Sequence, residues 1–170
     1  MTSTLPDLRP ASEVRAARDK RRVGLALLSV FVLAGAFGLF GTRTTTASAT
    51  ASGYTVTVTY PQISRPGHAV RYEVEVNRSG GFTGPVQMRF RSAYFDLFDE
   101  NSFGPAAESE TSDAAYDIYE FAAPKGDTLV VSSDTRVEPA RQRGERGEVS
   151  VLDDSGNPVV TVRYRTRIFP

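Results

Sequence analysis

From Val23 to Gly41 nineteen residues pass without a charged side chain, and five basic residues crowd the N-terminal side of that run. Coiled into a helix with about 1.5 Å of rise per residue, the run reaches about 28 Å, close to the roughly 30 Å hydrocarbon core of a bilayer. Its one polar side chain, Ser29, is one that a helix tolerates, because the hydroxyl bonds back to a carbonyl one turn earlier. The pattern predicts a single transmembrane helix over 23–41.

The flanks give that helix a direction. Arg15, Arg18, Lys20, Arg21 and Arg22 stand before it, and only Arg43 stands just after it. Basic residues resist translocation, so residues 1–22 read as a cytoplasmic basic tail and the C-terminal part as extracytoplasmic. The tail holds six basic and three acidic groups, a net of +3, and residues 43–170 hold fourteen and seventeen, a net of −3. Two other readings compete with a retained anchor in the cell membrane. A cleaved export signal would use Ala47-Ser48-Ala49 or Ala49-Thr50-Ala51 and leave a secreted product, but the apolar run is longer than such signals carry. A twin-arginine signal would use Arg21-Arg22, but Val23 and Gly24 follow the pair instead of bulky apolar residues. Ala34, Gly38 and Thr42 recur at four-residue spacing, a stripe that lets two helix backbones approach within lipid.

Composition narrows the chemistry. The chain has no cysteine, so disulfides and thiolate-bound metals are excluded. Only Lys20 and Lys125 are lysines among twenty basic residues, a bias that suits a high-GC bacterial genome. A formal net charge of zero argues against a dedicated nucleic-acid binder.

Residues 42–53 are small and polar and read as a flexible Ser/Thr/Ala tether. From Tyr54 the pattern turns to period two. Alternating segments at 54–60, 69–76, 85–91, 116–121, 127–137, 148–152 and 159–168 predict seven strands. Pro66-Gly67, Gly80-Gly81, Lys125-Gly126 and the Asp153–Pro158 cluster punctuate them as turns. Seven short strands over residues 54–170 predict an all-β, antiparallel sandwich of immunoglobulin or fibronectin type III kind. The acidic stretch Glu108–Asp113 reads as a loop.

The layout, with segments such as Tyr94–Asn101 and Val162–Pro170, resembles the single-span membrane proteins of high-GC Gram-positive (actinobacterial) type. Those carry a basic cytoplasmic stub, one helix and an Ig-like or fibronectin-like outer domain. The resemblance implies this architecture and a cell-envelope location; it supplies no activity and no functional residues.

No convergent catalytic set is legible in the sequence. His68, the single histidine, follows Pro66-Gly67 and reads as an exposed turn residue with no nucleophile and orienting acid assigned to it. Asp96, Asp99, Glu100 and Asn101 form one oxygen-rich cluster and Asp153, Asp154 and Asn157 another. Neither has the spacing of a calcium loop, so no cofactor or metal is expected. Gly80, Gly81 and Gly84 lie between strands, not ahead of a helix, and read as a turn rather than a phosphate cradle.

Two features remain as binding candidates. Tyr94, Phe95, Leu97, Phe98 and Phe103 crowd a short acidic stretch, where they either fill one end of the sandwich or form an apolar patch. Arg163, Arg165 and Arg167 alternate along the last strand, and Arg89 and Arg91 along the third. In an immunoglobulin-like sandwich the third, sixth and seventh strands share a sheet, so all five arginines are expected on one outer face, relieved by Glu148. Such a face suits anionic headgroups or an acidic envelope polymer. The expected function is a non-catalytic, membrane-anchored binding or scaffold module. The alternatives are an accessory subunit pairing through its helix with another membrane protein, and an exported enzyme.

Overall fold

The computed structural model describes residues 11–38, 41–99 and 102–169. They divide into two compact units, 1–41 and 42–170. The first contains one helix, α1 (Ala11–Ala36). Phe37 N–H still bonds to Leu33 C=O, but Gly38 N–H bonds to Gly35 C=O and Gly38 adopts φ +67°. A glycine in the left-handed region closes a helix by satisfying its last carbonyls. The helix therefore stops short of the expected 23–41 span. Its charge-free part, Val23–Ala36, measures about 21 Å, and among the described residues no helix is long and apolar enough to cross a membrane. Leu39 and Phe40, which belong to the apolar run, lie outside the described residues. The early stop also corrects the small-residue stripe: Ala34 is helical, Gly38 is the cap and Thr42 belongs to the second unit, so the three do not share a helix face.

The second unit is built from two sheets. The first has the order β1-β2-β3-β7, with β1 Arg43–Ala51, β2 Tyr54–Ser64, β3 Ala69–Arg78 and β7 Thr128–Arg136. The second has the order β5-β6-β4-β8-β9, with β4 Val86–Arg91, β5 Ser109–Ser112, β6 Tyr116–Phe121, β8 Arg146–Leu152 and β9 Pro158–Arg165. A two-residue strand, β10 (Arg167–Ile168), runs parallel to the end of β2, while every other pair is antiparallel. Period-two alternation builds the core directly. Val56, Val58, Tyr72, Val74, Val76 and Val131 from the first sheet meet Met88, Phe90, Val149, Val151, Val162 and Tyr164 from the second in one buried cluster.

Seven of the strands fall where alternation puts them, and three differences have physical causes. Residues 43–51, expected as part of a tether, form β1, paired with β2 from Ala51↔Tyr54 to Arg43↔Ile63. Ser52 and Gly53 both have positive φ (52° and 80°), the geometry of a two-residue hairpin turn whose twist matches its strands. The acidic stretch expected as a loop contains β5, a short exposed edge strand on β6. The last expected strand breaks at Thr166, whose buried hydroxyl bonds to Pro61 C=O at 2.6 Å and lies 2.9 Å from the Tyr94 hydroxyl. There the chain changes sheets, and β10 joins β2.

Candidate functional site

The aromatic candidates resolve as core. A short helix, α2 (Ser92–Phe95), carries Tyr94 and Phe95 inward, and Leu97 and Phe98 follow; all four are buried. Tyr94 packs edge-on against Tyr164 with ring centroids 4.9 Å apart, and Phe95 against Tyr72 at 5.3 Å. Large aromatic rings gain more from such contacts than from water. Tyr94, Phe95 and Phe98 therefore form no surface patch; they plug one end of the sandwich.

The arginine candidates stand on a shared face. Strands β4, β8 and β9 are neighbours in the second sheet. Their inward residues are Met88, Phe90, Val149, Val151, Val162 and Tyr164. By alternation Arg89, Arg91, Glu148, Arg163 and Arg165 point outward. Arg167 departs from this group, because the switch at Thr166 puts it beside Ile63 of the first sheet. Arg146, which the sequence reading passed over, joins it: the register sets Arg146 directly opposite Arg165. Its signal was the run Arg141, Arg143, Arg146 just ahead of the expected sixth strand.

Glu148 organises the middle of this face. Arg163 Nε donates to its Oε2 at 2.7 Å, Tyr116 hydroxyl donates to its Oε1 at 3.0 Å, and Arg89 Nη2 lies 3.6 Å from Oε1. The Arg89 guanidinium also sits over the Tyr116 ring, 4.4 Å from its centroid, a favourable cation–π distance. Burial alone raises the Glu148 carboxyl pKa. The hydrogen bonds from Arg163 and Tyr116, with the charges of Arg163 and Arg89, outweigh burial and hold it below its ordinary value. Arg146 and Arg165 have no such relief. Like charges directly opposite on neighbouring strands destabilise a sheet, and among the described residues neither makes an ion pair.

The oxygen-rich clusters are occupied locally. Asp153 Oδ1 accepts from the backbone N–H groups of Ser155 and Asn157, as a turn aspartate does. Arg141 lies beside Asp96, and Arg136 Nε donates to Asp99 at 2.8 Å. A hydrogen bond with Glu138, then Arg136, hold the Asp99 carboxyl low, while the same contact raises that of Glu138. Glu100 and Asn101 lie outside the described residues, and among those described no three metal-ligating side chains gather. His68 is exposed, and its backbone closes a turn with Arg65 and bonds to Val137.

No protein-family model matches the chain, and no curated protein matches it. Among solved structures it is similar to the CARDB domain of a Pyrococcus furiosus protein, crystallised in complex with di-metal ions. The identity is 14%, the TM-score 0.39, and the match covers 71% of this chain and 92% of that one. It is also similar to part of a beta-glucosidase from Listeria innocua, at 10% identity and TM-score 0.33, covering 76% of this chain and 16% of the enzyme.

Proposed function

We propose that the chain is a non-catalytic, membrane-anchored binding module of the bacterial cell envelope, with an immunoglobulin-like outer domain. The observation that carries the reading is the exposure of α1. Of eleven exposed large hydrophobic residues among those described, nine lie between Val23 and Phe37, and they face all round the helix. A helix apolar on every side belongs in an apolar medium. Arg18, Lys20, Arg21 and Arg22 extend its reach, because their aliphatic stems can lie in the acyl region while their charges stay at the interface. The strand orders β2-β3-β7 and β4-β8-β9 follow the A-B-E and C-F-G orders of an immunoglobulin sandwich, with β1 added at one edge and the β5-β6 hairpin added beside β4 in the reverse of the C′-C″ chain order. The outward arginines of β4, β8 and β9 supply a face for an anionic partner.

The test is alkaline extraction of membranes from cells making the full chain with a C-terminal tag. The reading expects the full-length product to stay in the pellet. A product released by alkali, or a shortened one in the medium, would overturn it.

A further inference from the structure

The arginines of the sandwich gather at the end where the chain enters it. Arg43, the first residue of β1, pairs with Ile63 on one side of β2, and Arg167 pairs with the same Ile63 on the other. Arg165 lies two residues earlier, opposite Arg146 on the second sheet. Between them, the loop before β8 and the segment after β9 frame an open cleft of about 370 Å³ whose lining includes Arg143, Arg165, Arg167 and Phe169. Among the described residues, none of these five arginines makes an ion pair. The same loop carries two acidic groups, Glu145 and Glu138, and Glu138 is engaged with Asp99. The far end, by contrast, sets Asp127, Asp153 and Asp154 against Arg78 and Lys125.

The cleft is fixed in place. Thr166 N–H donates to Glu145 C=O at 3.0 Å. Gly144 runs so close to the strand switch that a Cβ there would lie 2.0 Å from the Thr166 carbonyl oxygen. Phe169 N–H bonds to Ser64 C=O, yet the residue stays 51% exposed beside the arginines. Because the charges come from the rims of both sheets, they spread across one end of the sandwich and do not follow a single strand. Such an arrangement fits a flat anionic surface better than a threadlike polymer.

We propose that this end docks on the anionic lipid headgroups of the bilayer that holds α1; the inference rests on the anchoring reading above. Six residues, 37–42, connect α1 to β1, so Arg43 lies within about 25 Å of the end of the helix along the chain. Guanidinium forks match phosphate oxygens in a bidentate way, and an exposed aromatic ring suits the boundary between headgroups and acyl chains. Docking removes the uncompensated repulsion between Arg146 and Arg165 and holds the basic sheet face at a defined height above the membrane.

Full-length chain in lipid nanodiscs tests this, in phosphatidylcholine alone and in phosphatidylcholine mixed with phosphatidylglycerol. Hydrogen exchange of the 141–146 and 165–169 segments is the readout. With anionic lipid, exchange there should slow by about fivefold or more, the factor one arginine gains near such a surface. The slowing should vanish at high salt and in the R143Q/R165Q/R167Q variant, whose exposed side chains can change without unfolding the sandwich; an unchanged melting temperature verifies that. Equal exchange in both lipids overturns the proposal, as does slowing that appears only when a soluble polyphosphate is added. Failure of the chain to enter either disc overturns the anchoring reading, and this proposal with it, and differs visibly from exchange that ignores lipid charge.

Discussion

Glu148 shows how one carboxylate can hold a basic face together. It answers Arg163, Arg89 and Tyr116 at once, and its side chain is only 12% exposed. Its folded pKa lies below the ordinary value near 4.5, so the folded protein releases this proton more readily than the unfolded chain. The stability it lends is complete above that ordinary value and is lost as pH falls through the lower folded one. Glu148→Gln should cost about 1–2 kcal/mol at neutral pH and flatten the acid limb of a melting-temperature profile; an unchanged limb would mean that Glu148 is not the coupling group. Gly147 is constrained by space. A Cβ there would lie 2.1 Å from the Tyr164 ring, which is buried against Tyr60, Tyr72 and Tyr94. Gly147→Ala should cost about 3 kcal/mol by overpacking, read in urea unfolding as a lower midpoint with the same slope. Tyr164→Phe would leave the Tyr72 hydroxyl, its hydrogen-bond partner, buried and unpaired, at a cost of about 1–3 kcal/mol.

At the scale of elements, alternation was legible wherever one face is large and apolar. Val56, Val58, Val74 and Val76 announce β2 and β3 without ambiguity. β1 was not legible that way, because its inward residues are Thr45, Ala47 and Ala49, only half-buried. Its signal lay instead in the Ser52-Gly53 turn and in the β propensity of alternating threonines. Hydrogen exchange separates the two accounts of 43–51. Amides that point toward β2 should be protected well beyond a solvated chain, whereas a tether would exchange fully at once. The strand switch at Thr166 was hidden for another reason. It depends on the Pro61 carbonyl and the Tyr94 hydroxyl, partners 105 and 72 residues away. Arg167 consequently left the face on which period two had put it, while Arg146, two residues ahead of Glu148 on β8, stands on that face. The end of α1 turns on Gly38, which reads equally well as a small residue inside an apolar helix and as a cap.

Across the whole molecule the charge separates, as the segment sums of +3 and −3 first suggest, but the sandwich itself is also polarised. Its unpaired arginines cluster where the chain enters, while Asp96, Asp99 and Glu138 at that end are engaged with Arg141, Arg136 and each other, and Asp127, Asp153 and Asp154 stand at the far end. That polarity has meaning if α1 occupies a bilayer and the sandwich stands outside it, which is the central claim. Its absence of cysteine permits a direct measurement. Single cysteines introduced as Ala17→Cys, before the apolar run, and Ser155→Cys, in the exposed turn between β8 and β9, can be labelled on intact cells with a membrane-impermeant maleimide. The account predicts that Ser155→Cys is labelled at once and Ala17→Cys only after lysis. Labelling of Ala17→Cys on intact cells, or protection of Ser155→Cys until lysis, would contradict it.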